Sequence, residues 1–595
     1  MRGARTRFQY EIDFDNAKVS ADGGFHQLYD LVVRNGVVVD GTGLPRRRAD
    51  VAIRDGSVVA VGRVDESGSR EIDADGLHVI PGIVDAHTHY DPLLTFDPWA
   101  TSSCFHGVTT VVTANCGFSV APCAPGDHAF TEQFMAAVEG FSPSVLEAGL
   151  PWTWESFPSY LDALEGRLGV NSATYVAHSA LRRFVMGERA STETATQDDL
   201  AAMTALIRSA RAAGACGFST ERMGAELDHL GNPTPSVIAD EVELEALIWA
   251  AGASPTGSVA VLPRSVGEGL TPEDARLLER YAAAARLPVV IQGIGWRPGL
   301  DAQWEADQAF LDDASRAGHA IYSIYRNHPM VRPFDWLRGT SLFKGVYHWR
   351  DFPQMSAAEV LERVSAPEWR PRLVEALDHP ITDPALGATT PPPPMDTVFV
   401  ERTSRAGAEG ASIADLAHAH NQHAAEVICD LLAADSLSTG FAWRTETDAW
   451  RRGTAETLRH PNILVGTGDG GAHADRDDGS EWSTYFLSSW VRDEELFTLE
   501  EGVRRITSVP ARVCGLDDRG VIAPGFGADF VLLDLGALGL GTKSIVNDLP
   551  AGGERWRAEV DGIEQVIVNG EAIVESNKIT GNLPGAVLRT RTATN

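Results

Sequence analysis

The chain has 595 residues, with 50 basic and 82 acidic side chains for a formal charge of −32, and is 44% hydrophobic and 22% charged. This length exceeds one ordinary domain of ~100–200 residues and is ample for a large core. The composition is globular, and the acidic excess argues against a nucleic-acid or anionic-membrane surface.

Six cysteines in so long a chain make no disulfide framework, and they fit a reducing, cytoplasmic setting with buried or ligand thiols. The N-terminal stretch lacks the apolar core of a signal peptide, and no run of ~18 apolar residues occurs.

Residues 1–27 show no periodicity and read as an N-terminal extension. From Asp30, two β-branched runs flank Asn35-Gly36, which reads as a hairpin with a type I′ turn. The same pattern recurs at Asp55-Gly56 and at Asn569-Gly570, and Ala528–Asp534 reads as a further strand. Short strands at both ends predict a small composite β domain from residues 28–80 and 511–580.

Between them helices and strands alternate. Thr196-Gln-Asp-Asp199, Thr271-Pro-Glu-Asp274 and Thr498-Leu-Glu-Glu501 are helix-start signals, and apolar strands follow at Ala215–Phe218 and Pro288–Ile291. Alternation predicts βα units around a parallel sheet, an α/β barrel over 81–510. That span exceeds the ~250 residues of a minimal (β/α)8 barrel, so an insertion is expected, best placed at about 365–440 beside the Pro391–Pro394 tract.

Three segments carry chemistry. Val84-Asp-Ala-His87-Thr-His89 follows an apolar run, His78–Val84. On a strand the two imidazoles point the same way and suit a first-row metal. A bare His-x-His reads equally as two solvent-facing histidines. Ile463–Gly468 delivers Asp469 into a glycine-rich loop, where a carboxylate can bind metal and serve as general base, or simply make a turn. Gly107–Ala114 is β-branched and ends at Asn115-Cys116-Gly117, where the thiol is a ligand or core filler.

Together with the Leu31–Asp40 start and the tail Asp518-Arg-Gly520…Pro524-Gly-Phe-Gly-Ala-Asp529, these segments resemble the amidohydrolase superfamily. Asn115-Cys-Gly-Phe-Ser119-Val-Ala-Pro122, Val138-Glu-Gly140, His178-Ser-Ala-Leu-Arg182 and Gly214–Thr220 narrow the resemblance to the N-acyl-D-amino-acid deacylase family. The resemblance implies a (β/α)8 barrel with a side β-sandwich and a hydrolytic site at the strand C-termini. In that family zinc is held by the His-x-His pair, a bridging Cys, two further His and the late Asp. His87, His89, Cys116 and Asp469 match. The superfamily's alternative carboxylated-lysine bridge has no lysine to use between residues 81 and 343.

The chain departs from the family elsewhere. Neither Val261–Arg264 nor Val290–Gly293 contains the fifth- or sixth-strand histidine, and the positive side chains expected to hold a substrate carboxylate are missing. One zinc on His87, His89 and Asp469 with Cys116 nearby is the favoured arrangement. His178 or His229 as replacement ligands, and a weakened metal site, are the alternatives.

Asp469 is the expected general base. His178, Arg182, Arg222, His229 and His473 are the expected substrate-binding residues, and Arg264 is a further carboxylate partner considered. His418, His420 and His423 read as structural despite their composition. Trp296, Trp336 and Trp349 could wall the pocket, although core packing is their default.

The implied function is a metal-dependent amidohydrolase taking a small-molecule amide, with oligomeric state open and a homodimer among the options. A cyclase, lyase or cyclic-amide hydrolase, and a non-catalytic scaffold, are the competing readings.

Overall fold

The computed structural model describes residues 17–19, 25–27 and 29–590, apart from 225, 266–267, 299, 337–339, 382–391 and 474–478. Of the expected extension over 1–27, only the paired strands Ala17–Val19 and Phe25–Gln27 are described.

Eight parallel strands form the central sheet: β1 (Ile83–Asp85), β2 (Val108–Thr113), β3 (Asn171–Ala177), β4 (Gly217–Glu221), β5 (Ser258–Leu262), β6 (Val289–Gln292), β7 (Ile321–Tyr325) and β8 (Ile463–Val465). They neighbour one another in chain order. Just past β1 and β8, a parallel bridge between Thr88 and Gly470 joins the first strand to the last, with His89 N donating to Gly470 O at 2.8 Å. β2 and β3 are buried at every position, as expected of parallel strands covered on both faces. Val112, Ala173, Ala260, Val290, Ile324 and Leu464 meet in one apolar cluster that fills the barrel.

The tail closes the opposite end. Gly585 N donates to Leu168 O, Leu588 N to Ser172 O and Thr590 N to Gly214 O. The C-terminal ends of the strands stay accessible for a site.

The helix-start signals act as expected. Thr196 and Thr271 cap Gln197–Ala212 and Pro272–Ala285 with reciprocal bonds to Asp199 and Asp274, and Thr498 caps Leu499–Ile506.

Strands from both chain ends form a nine-stranded sheet around Leu31, Val33, Val51, Ile53, Phe530 and Ile567. Asp55-Gly56 and Asn569-Gly570 both have positive φ at the two turn positions, the I′ hairpins expected.

Asn35-Gly36 is different. Tyr29–Val38 is one continuous strand, and Asn35 (φ 63°) sits in a bulge between Val33 and Gly36. Asp50 Oδ1 accepts Asn35 N and Asp73 Oδ1 accepts its Nδ2, so neighbouring carboxylates hold the left-handed residue that the pattern assigned to a turn.

The apolar run before His87 also divides. His78–Pro81 pairs in the small sheet and Ile83–Asp85 in the barrel. At the crossing, a Cβ on Gly82 would lie 2.0 Å from Thr109 Oγ1.

Between β7 and β8 lies the insert. Its three-stranded antiparallel sheet comprises Val331–Phe334, Val398–Arg402 and Gly440–Arg444. Trp336, Trp349, Phe352, Ile428 and Phe441 belong to a core separate from the barrel's. The insert therefore begins before residue 365, because Val331–Phe334 supplies one of its strands. Trp336 and Trp349 are core residues of the insert, and Trp296 packs in the barrel core. His423 caps Ala424–Ala434 and pairs with Asp378 at 3.1 Å. No helix among the described residues is long and apolar enough to cross a membrane.

Candidate metal centre and active site

β1 ends on Asp85, whose Oδ1 accepts His87 N (3.2 Å) and whose Oδ2 accepts Trp482 Nε1 (2.9 Å). This anchor fixes where the chain turns toward His87 and His89. The loop after β8 passes so close that a Cβ on Gly468 would stand 2.1 Å from Asp85 Oδ2.

Asp469 Oδ1 is thereby brought 3.2 Å from His87 Nε2 and 3.4 Å from His89 Nε2. Cys116, from the end of β2, places Sγ 3.8 Å from each of the same nitrogens. Ligand atoms of His87, His89 and Cys116 all lie within 4.8 Å of one another. Cys116 (φ 53°), Asp469 (φ 53°) and His473 (φ 51°) occupy the left-handed region, strain that concentrates where side chains must be aimed.

A buried carboxylate stands behind this cluster. Glu139 closes α1 (His128–Glu139), and its Oε1 lies 3.1 Å from His89 Nδ1, off the line of an ideal hydrogen bond. Burial opposes the charged form of His89, yet Glu139 and Asp469 outweigh it and hold this imidazole up at about 9. His87 goes the other way: burial keeps it below the ordinary histidine value, and the positive charge of Arg326 adds to the effect.

Burial also opposes the Asp469 carboxylate, but hydrogen bonds from His87 and His89 take it well below the usual range. The Cys116 thiol is pushed well up by burial and then by Glu139 and Asp469. Two imidazoles, one carboxylate and one thiol converging in this way are a donor set for a borderline divalent ion, zinc above all. Such an ion deprotonates a coordinating thiol outright, which reverses the preference Cys116 has without it. The residues fit the ion.

The facing strands contribute no further nitrogen or carboxylate ligand. β5 ends on Leu262, and β6 ends on Gln292, whose Oε1 accepts from Cys116 Sγ at 3.2 Å.

The other expected residues are placed as follows. His178 is fully buried, with Nδ1 at 2.9 Å from Thr220 Oγ1 and Nε2 at 2.9 Å from Glu243 Oε1. Arg182 is equally buried, pairs with the same carboxylate and donates to Ala190 O and Glu193 O. Neither joins the ligand cluster, because Glu243 engages both. Arg222 donates to Ser236 O (2.8 Å) and Ala239 O (2.9 Å), and Arg264 is an exposed partner of Glu241 at 3.9 Å. His229 is exposed and meets the Phe130 ring edge-on. His473 lies at the rim of the cluster, with Nε2 4.0 Å from Asp469 Oδ2.

Sequence reasoning passed over three residues: Glu139, Gln292 and Arg326. Glu139 carried a signal in Val138-Glu-Gly140, and Gln292 stands inside the stretch searched for a histidine.

The amidohydrolase family profile matches residues 70–574. The chain is 28% identical over 580 residues to D-aminoacylase of Alcaligenes xylosoxydans xylosoxydans, covering 94% of this chain and 98% of that protein. It is also 28% identical over 575 residues to N-acyl-D-glutamate deacylase of the same organism, covering 94% and 96%. The crystal structure of N-acyl-D-glutamate deacylase from Bordetella bronchiseptica, complexed with zinc and a phosphonate mimic of the tetrahedral intermediate, has a TM-score of 0.60 at 24% identity. It covers 95% of this chain and all of that one, and supports the shared fold. The chain belongs to the amidohydrolase family, as a divergent, metal-dependent hydrolase of amide carbon–nitrogen bonds other than peptide bonds.

Proposed function

We propose that the protein deacylates N-acyl-D-amino acids with a single zinc ion held by His87, His89 and Asp469, with Cys116 beside them. The convergence of Asp469 Oδ1 on both imidazole Nε2 atoms carries this reading. Leu262 and Gln292, at the ends of β5 and β6 on the facing strands, support the reading of one ion rather than two.

A bound divalent ion supplies Lewis acidity, acidifying water and polarising the amide carbonyl. The protein supplies the rest. Asp469 presents Oδ1 to the imidazoles and leaves Oδ2 to accept the proton of the attacking water and return it to the departing amine. Asp85 and Trp482 hold the His87 backbone, and Glu139 steadies His89 from behind. The insert leaves the barrel from the C-terminal end of β7, the site's own face, where it bounds the acyl group. The six cysteines are free thiols, which supports a cytoplasmic setting.

The test is hydrolysis of N-acetyl-D-amino acids by the wild type and Asp469→Asn, with zinc content measured on both. Activity in the wild type and a loss of about 10²–10⁴ in kcat for the variant support the proposal. A variant as active as the wild type overturns the role of Asp469.

A further inference from the structure

The nine-stranded sheet sends out an arm. Between its neighbouring strands Phe530–Leu533 and Ile563–Val568 the chain forms a separate ribbon, Gly539–Leu549 paired antiparallel with Gly553–Asp561. Two cations of this ribbon reach into the barrel. Arg555 Nη1 donates to Asp97 Oδ2 and to Thr101 O (2.8 Å), in the segment between β1 and β2. Lys543 Nζ donates to Glu481 Oε1 at 2.8 Å, in the segment after β8. Both acceptor carboxylates are buried. The first of these segments carries His87 and His89, and the second carries Asp469.

From Glu481 the path to the metal centre is short. The next residue, Trp482, is fully buried, and its Nε1 donates to Asp85 Oδ2, while Asp85 Oδ1 accepts His87 N. The same indole lies against the loop that delivers Asp469, so that a Cβ on Gly466 would stand 2.3 Å from Trp482 Cε3. One ring therefore borders both halves of the donor set. Those halves are joined by His89 N donating to Gly470 O (2.8 Å) and Asp469 N donating to His87 O (3.2 Å). Burial opposes the charge on Glu481, yet Lys543 and then His106 outweigh it and hold the carboxyl below its usual range.

We propose that the ribbon is a clamp on the metal centre, with Lys543 a positioning residue that acts through Glu481 and Trp482. The inference rests on the metal-centre reading for what is being positioned. An ion pair on the surface would contribute little, but this one has its carboxylate buried. Without Lys543 an uncompensated charge stays in the interior, and the segment relaxes to bring it to water. Trp482 moves with that segment, and the two halves lose their common support. Groups that orient metal ligands from outside in this way set the affinity of a site.

The experiment compares the wild type with Lys543→Met and Glu481→Gln. Glu481→Gln breaks the same pair while leaving no buried charge, so it guards against a Lys543→Met protein that fails to fold. The control is Arg519→Met. Arg519 pairs with Asp529 at 2.9 Å beside Asn171, the first residue of β3, at the barrel's opposite end. Zinc affinity is read by chelator competition. Amide exchange over residues 86–91 and 466–473 is read by mass spectrometry on the full chain freed of metal. Lys543→Met and Glu481→Gln should each weaken zinc binding about tenfold and speed exchange of both stretches about tenfold. Arg519→Met should leave both readings within about twofold of wild type.

Unchanged exchange in both ribbon variants, or an Arg519→Met protein that loosens the same stretches as much, overturns the clamp. Looser stretches with wild-type zinc affinity overturn the role of Lys543 at the metal centre. Looser stretches in a protein that takes up no zinc in any form leave the clamp standing and overturn the metal-centre reading instead.

Discussion

Replacing Glu139 with Gln takes a buried carboxyl, which burial pushes well above the usual carboxylate range against the pull of His89, and almost no volume from behind the metal centre. The carboxylate is 4% exposed, and its Oε1 lies 3.1 Å from His89 Nδ1, so it favours the tautomer whose Nε2 lone pair faces Asp469 and Cys116. Partners of this kind are worth about 10–100-fold in metal affinity, or about 1.4–2.8 kcal/mol.

The pH dependence separates two effects. Without metal, His89 titrates at about 9, so near neutrality an incoming ion must displace a proton that Glu139 also stabilises. The variant lowers that pKa and eases the competition, which offsets part of its loss at pH 7. Above pH 9 no proton competes and the whole loss appears. Chelator-competition titration should therefore give a zinc affinity about tenfold weaker than wild type at pH 7, widening toward 100-fold above pH 9. An unchanged affinity, or a gap that narrows as pH rises, would refute the reasoning.

Other predictions concern regions away from the metal. Glu243→Gln leaves the fully buried Arg182 without its carboxylate and should cost about 3 kcal/mol in denaturant unfolding, with kcat/KM within twofold of wild type. A collapse of kcat/KM at unchanged stability would make His178 and Arg182 substrate residues. In the insert, burial tends to raise the Asp435 carboxyl, but the hydroxyls of Ser404, Thr439 and Thr403 outweigh it and hold the group down at about 2. A depressed carboxyl contributes stability above its unfolded pKa and loses it as pH falls through the folded one. Asp435→Asn should therefore cost about 1 kcal/mol at pH 7, and the difference should vanish between about pH 4 and pH 2. An equal deficit at both ends of that range would contradict the assignment.

The barrel was legible because its signals are local. Capping residues such as Thr196 and Thr271 act within one helical turn, and alternating apolar runs declare parallel strands wherever they pair. His87, His89, Cys116 and Asp469 stood out because each ends a strand pattern, and the end of a barrel strand is where chemistry collects.

What was not legible depends on long-range partners. Asn35-Gly36 has the local signature of a turn, and only Asp50 and Asp73 make it a bulge. His178 and Arg182 looked like pocket residues at the end of β3 until Glu243, over sixty residues on, is seen to engage both. Gln292 and Arg326 carry no motif. The insert's early border was missed because Val331–Phe334 is a short strand whose partner is Gly440–Arg444.

The central claim is one metal ion held by His87, His89 and Asp469, with Cys116 beside them. It is tested most directly by elemental analysis of protein purified without chelator or added metal, beside His87→Ala and Asp469→Ala. The account predicts about one zinc per chain in the wild type, lost in both variants. Two ions per chain would contradict the single-ion centre, and a wild type that holds none and takes up none on titration would contradict the metal centre itself.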